Sequence, residues 1–190
     1  KSPKPSSLPR ASETGFLTAL EIHQKFWPWL IASTLVGLGL ATLWYLLAES
    51  TTASRRANLL SHVVETVRAS LLYSGDHDDR LPIADNWQTA VTANQRFPEA
   101  NFYSMGPRGV LNPPQYIAFR DKFSGSKVNK IPDAAQAVLT FDSTITHPNA
   151  HGELDQMPNP PRFNYGGKQT NVAAFVDGHA KVVTKSDPIR

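Results

Sequence analysis

No cysteine occurs among the 190 residues. Disulfide scaffolds, zinc–thiolate sites and thiol nucleophiles are therefore excluded at the outset. Charge is sparse as well: Asp, Glu, Lys and Arg make up 18% of the chain, below the usual quarter of a globular protein. The formal net charge is only +3, and glycine (11) is outnumbered by proline (15). Collagen-like and acidic disordered chains are excluded by these counts. There is no Gly-rich phosphate loop and no nucleophile elbow. The length suits one soluble domain, or one domain with an appendage.

Charge is missing altogether from Phe26 to Ala48, a run of 23 positions closed by Lys25 and Glu49. As a helix it would extend roughly 35 Å, enough to cross a bilayer core with some tilt. Trp27 and Trp29 stand at one end, Trp44 and Tyr45 at the other. Indole and phenol pair an apolar body with a polar edge, which suits the membrane–water interface. Pro28 is expected in the first helical turn, where its missing N–H costs nothing. Ser33, Gly37 and Ala41 recur every four residues, on one face where small side chains let another helix approach closely. The six histidines, at 23, 62, 77, 147, 151 and 179, all lie outside the run. No His-ligated haem or chlorophyll is expected within the membrane, and no cofactor is expected elsewhere.

A secretory signal peptide would place a shorter apolar core at the extreme N-terminus. Here 25 residues precede the run, and the chain opens on Lys1 rather than Met, so upstream sequence is expected to be missing. Ahead of the run, Lys1, Lys4, Arg10 and Lys25 outnumber Glu13 and Glu21, a net charge of +2. Positive residues favour the cytoplasmic side. The expected organisation is a cytoplasmic Pro/Ser-rich basic tail with an interfacial helix (1–25), a transmembrane helix (26–48) and a periplasmic domain (49–190). The membrane would be the bacterial inner membrane.

Beyond the span, no Gly or Pro occurs between Gly39 and Gly75. Leu60, Val63, Val64, Val67, Leu71 and Leu72 follow helical spacing, with Arg56, Glu65 and Arg68 interleaved. The helix should therefore continue to about Tyr73, with Ser74-Gly75 as its stop. Asp76-His77-Asp78-Asp79-Arg80-Leu81 lacks the glycine and fifth-position acid of an EF-hand, so a polar turn is expected. A short helix should follow at 86–94, capped by Asp85 or Asn86, with Trp87 and Val91 inward. Residues 96–135 should be mostly loop, with a strand at Tyr116–Phe119. Ala137–Phe141 reads as a strand. Asp177-Gly178, between two apolar runs, reads as a two-residue hairpin turn. That register pairs Val176 with His179, Phe175 with Ala180 and Ala173 with Val182.

Three stretches carry a resemblance. SRRANLLSHVVETVRASLLYSGDHDDRLP follows the apolar helix, AVLTFDS reads as a strand, and PPRFNYGGKQTNVAAFVDGHAKVV closes the chain. Together they are similar to bacterial pseudopilin-like proteins, relatives of the major pseudopilin of type II secretion. That family's signature is an Arg-His, Gly-Gly, Asn and Asp-Gly-His pattern around a closing hairpin. The matching residues here are Arg162, Gly166, Gly167, Asn171, Phe175, Asp177, Gly178 and His179. The resemblance covers about residues 29–184. It implies a pilin-like α+β fold: a single N-terminal transmembrane helix continuing into a long amphipathic helix packed on a small antiparallel β-sheet. The family's prepilin form carries Gly-Phe-Thr-Leu-Ile-Glu directly before its apolar run. Here Gly15-Phe16-Leu17-Thr18-Ala19-Leu20-Glu21 is only an echo, and His23, Gln24, Lys25 and Pro28 intervene.

The functional expectation is a non-catalytic accessory or scaffold subunit of a large inner-membrane complex. Its partners would be other membrane subunits and the lipid bilayer. The host is expected among photosynthetic or respiratory electron-transport complexes, although no residue selects it. The alternative is a true pseudopilin of a type II secretion or pilus-like machine. A third reading, a metal-dependent enzyme or sensor, would draw on Asp142, His147, His151, Asp155, Asp177 and His179. No pair among them has a ligand spacing fixed by a helix. Outside the first 25 residues the net charge is +1 and no basic stripe occurs, so nucleic acid is not an expected partner.

Overall fold

The computed structural model describes residues 13–95, 102–107, 109–184 and 186–189. The Pro/Ser-rich segment 1–12 lies outside them. The chain divides between Ala48 and Glu49 into two units. The division falls inside one helix, α1 (Glu13–Asp76), 64 residues long.

Three expectations about α1 need correction. The helix begins at Glu13 with no break between an interfacial piece and the span. Pro28 consequently sits inside the helix rather than in its first turn. Its missing N–H leaves the Gln24 carbonyl without the usual donor. At the other end, Gly75 is helical, and the chain leaves α1 through Asp78 (φ 53) and Asp79 (φ 60) in left-handed conformation. Asp tolerates that region better than most side chains. The polar turn expected within Asp76–Leu81 is present at 77–79, with Asp76 still helical. It is pinned by the Arg80 N–H on the His77 carbonyl at 2.9 Å and the Val128 N–H on the Asp79 carbonyl at 2.9 Å.

In the second unit, the part of α1 beyond Glu49 packs into one core with the sheet. Leu59, Val63, Thr66, Val67 and Ser70 are fully buried or nearly so, a stripe of helical period. Leu72, expected to face inward, is 57% exposed. The inward face uses small polar residues instead. The Thr66 hydroxyl donates to the Val63 carbonyl at 2.8 Å, and Ser70 donates to the Thr66 carbonyl at 3.0 Å. These backward bonds satisfy each hydroxyl and let the strands come close. Thr66 lies 3.3 Å from the Thr140 hydroxyl.

After a 3-10 turn at Ala84–Asn86 comes α2 (Trp87–Gln95), with Trp87 and Val91 fully buried as expected. Neither Asp85 nor Asn86 caps it. The Thr89 N–H donates to Asn149 Oδ1 at 3.1 Å, and the Asn149 N–H donates to Gln88 Oε1 at 2.6 Å. This is a reciprocal cap reaching across 60 residues.

Strands β1 (Met105–Gly106) and β2 (Gly109–Val110) form a small hairpin. The main sheet contains β3 (Ile117–Arg120), β4 (Val138–Asp142), β5 (His151–Gly152), β6 (Phe163–Tyr165), β7 (Lys168–Phe175) and β8 (Ala180–Val183). Its order is β5-β3-β4-β7-β6, with β8 also on β7. The pairs are antiparallel except β3 with β5, which is parallel. The result is mixed helix and sheet, with one long apolar N-terminal helix and an antiparallel-rich sheet. Strand β4 is buried at every position.

The closing hairpin is shifted by one residue from the expected register. Ala174 pairs with Ala180 and Ala173 with Lys181. The connection therefore has three residues, Val176, Asp177 and Gly178. Only Gly178 (φ 89) is left-handed, as in a type I turn closed by a glycine bulge. A one-residue slip moves every side chain to the other face. Phe175 accordingly shares a face with His179, not with Ala180. Their rings stack at 4.4 Å, and Lys181 Nζ lies 5.0 Å from the Phe175 ring. The two-residue turn sits elsewhere. Tyr165 pairs with Lys168 across Gly166 (φ 56) and Gly167 (φ 75), joining β6 to β7.

Candidate functional site

In the first unit the apolar run is exposed at every position from 26 to 48. Trp27, Trp29, Trp44 and Tyr45 are 57–77% exposed. The run also contains Ser33, Thr34 and Thr42. Their hydroxyls donate to the carbonyls of Leu30 at 3.0 Å, Leu30 at 2.8 Å and Leu38 at 2.8 Å. Each of these three hydroxyls is thus satisfied within the helix, which hydrocarbon requires. Among the described residues, this is one helix long and apolar enough to cross a membrane. Ser33, Gly37 and Ala41 lie exposed along it, and a Cβ added at Gly37 would meet nothing within 4 Å.

The second unit is organised around Arg162. Its Nε donates to Asp142 Oδ2 at 2.9 Å, with side-chain exposures of 8% and 0% for the pair. Nη2 donates to Gln115 Oε1 and to the Ser143 carbonyl. The Ser104 hydroxyl donates to the other carboxylate oxygen of Asp142. Asn171 completes the network. Its Oδ1 accepts from the Arg162 N–H at 3.2 Å, and its Nδ2 donates to the Pro158 carbonyl at 3.0 Å. One guanidinium thereby fastens the 158–162 loop to β4 and to the 104–115 segment. Burial pushes the Asp142 carboxyl up to about 6, against the opposing pull of Arg162 and Ser104. Every polar atom of the Asp142 carboxylate is committed to holding the fold.

The remaining titratable candidates are scattered. His151 on β5 stands between Asp121, whose Oδ1 is 2.7 Å from Nδ1, and Asp85, whose Oδ1 is 3.4 Å from Nε2. Beside it Arg120 pairs with Glu153 at 2.9 Å. His179 Nδ1 lies 2.5 Å from Asp177 Oδ1 at the closing turn. His147 Nδ1 is 3.1 Å from the neighbouring Pro148 carbonyl. Asp155 borders a groove of about 380 Å³ lined by Leu154, Met157, Pro158, Pro161, Val183 and Ile189. Among the described residues, no three His, Asp or Glu side chains converge as a metal cage. The signature residues Arg162 and Asn171 come together. Ser104, Gln115 and Asp121 had no local signal to single them out, and Asp85 stood out only as a candidate helix cap, because each becomes a partner here only through the fold.

No family model, no curated protein and no solved structure matches this chain.

Proposed function

We propose that this chain is a non-catalytic, single-span accessory subunit of a larger bacterial inner-membrane assembly. Its N-terminus would be cytoplasmic and its 49–190 domain periplasmic. One observation carries the reading: the 26–48 helix is exposed throughout, with all three Ser and Thr hydroxyls returned to its own backbone. Such a surface is suited to lipid and to neighbouring helices, not to water. The second unit adds support, because its buried ion pair is spent on tying loops together.

Gly37→Leu should detach the subunit from its partners and leave the second unit folded. The new side chain meets nothing in the chain's own fold but blocks close helix approach. The measurement is mild-detergent affinity purification of tagged protein from native membranes, with partners identified by mass spectrometry. Unchanged co-purification of the variant would refute the packing face.

A second reading, a pseudopilin of a secretion or pilus-like machine, is favoured by one feature. The helix is unbroken from Glu13 through the apolar run into a domain with an antiparallel-rich sheet. N-terminal sequencing of the same material separates the two. Cleavage after Gly15 selects the pseudopilin, whereas residues 1–15 retained in a stoichiometric complex select the accessory subunit.

A further inference from the structure

We propose that Arg55, Arg56, Tyr165 and Lys168 form a collar that binds the phosphate headgroups of anionic lipids. This rests on the membrane-spanning reading above. From Ser50 to Val64 the only charged residues are Arg55 and Arg56, and from Arg162 to Val176 they are Arg162 and Lys168. Glu49 and Glu65 close the first stretch and Asp177 the second, and Arg162 is paired with buried Asp142, so the remaining charges between them, Arg55, Arg56 and Lys168, are cationic. The fold brings the two stretches together: the Arg56 guanidinium sits 4.1 Å from the centroid of the Tyr165 ring, and its Nη1 reaches the Asn164 carbonyl at 3.4 Å. Arg55 anchors beside it through the Pro107 carbonyl.

The β6–β7 tip leaves a surface for a ligand. Residues 164–169 are all exposed, and Tyr165 is 58% exposed. A guanidinium over a ring uses its face and keeps further N–H donors for phosphate oxygens. Tyrosine with Arg and Lys is also the set that accumulates at headgroup depth.

Chain length supplies the location. Arg55 follows Ala48 by seven residues, which holds it within about 25 Å of the apolar run at full extension. Covalent reach alone thus limits how far the two arginines can lie from the end of the apolar run. Anionic lipid fits this surface better than zwitterionic lipid, because its headgroup carries a net negative charge for Arg55, Arg56 and Lys168 to meet.

The absence of cysteine makes the test direct. The full chain carrying Gln169→Cys, an exposed position next to Lys168, is labelled with a fluorophore and reconstituted into vesicles. The vesicles are phosphatidylcholine alone or with about 30 mol% phosphatidylglycerol, both containing a headgroup-attached quencher. Quenching should be at least about twofold stronger with phosphatidylglycerol and fall to the phosphatidylcholine level at about 0.5 M salt. Lys168→Gln should raise the phosphatidylglycerol fraction needed for half-maximal quenching by at least about twofold. Equal quenching in both lipids, in chains that float with the vesicles, overturns the collar and leaves the span standing. That outcome would assign these cations to the carboxylates of a protein partner. Failure to float overturns the span, and the collar with it.

Discussion

Replacing Arg162 with Met should destabilise the 49–190 unit by about 3–5 kcal/mol at pH 7, because it strands a buried carboxylate. Asp142 is fully buried, and its nearest countercharge is the Arg162 Nε at 2.9 Å. The same substitution releases Gln115 and the Ser143 carbonyl, so the 158–162 loop loses its fastening to β4. The loss should depend on pH in a defined sense. The folded carboxyl titrates at about 6, above its ordinary 3.8, chiefly because burial penalises the charged form. The folded chain therefore binds more protons than the unfolded chain between these values. The stability linked to this group is fully present below 3.8 and is lost as pH rises through about 6. In Arg162→Met the neutral acid is tolerated and the anion is not, so the penalty should shrink below about 2 kcal/mol at pH 4.5. Urea unfolding of the detergent-solubilised full chain, followed by amide protection in β4 and β7, reads both quantities. A penalty that is the same at pH 7 and pH 4.5 would mean that the lost arginine contacts, not the stranded charge, govern the effect.

Residues whose partners are near in sequence, or whose apolar spacing is regular, were legible before the structure. Val63 and Val67 on the long helix, Trp87 and Val91 on the short one, and the buried strand at 138–142 all announced themselves this way. The closing hairpin was legible as a hairpin but not in register. Asp-Gly suits both a two-residue turn and the last two positions of a three-residue loop. The choice falls to packing, which sets Phe175 opposite His179 and leaves Gly178 next to Leu71 on α1. Pro28 looked like a helix start because proline is well suited there, yet the helix runs on to Glu13. The cap on α2 could not be read locally, since Asn149 arrives from 60 residues away. The polar hub shows the same limit. Arg162 and Asn171 stood out through a resemblance, whereas Asp142, Ser104 and Gln115 become its partners only when three separate segments meet.

Trp87→Ala should cost the same unit about 3–5 kcal/mol, and Trp87→Phe about 1 kcal/mol through the lost N–H. The indole is fully buried. It meets Phe102 edge-on at 5.3 Å and Phe119 at 5.7 Å, so truncation opens a cavity between α2 and β3. Its N–H donates to the Ala150 carbonyl at 2.7 Å. That carbonyl also accepts from the Phe119 N–H at 3.0 Å, so a phenyl replacement leaves it with one partner rather than none. The effect should spread in a particular direction. Asn149 caps α2, and His151 lies between Asp121 and Asp85. Loosening the indole therefore frees the 149–152 segment together with α2. Hydrogen exchange on the full chain should show amides of both segments losing protection in step in Trp87→Ala, while those of β7 and β8 change only with global stability. Loss confined to α2 would mean that the 149–152 segment is held by β3 alone, and that the indole is a packing group rather than the joint between helix and sheet.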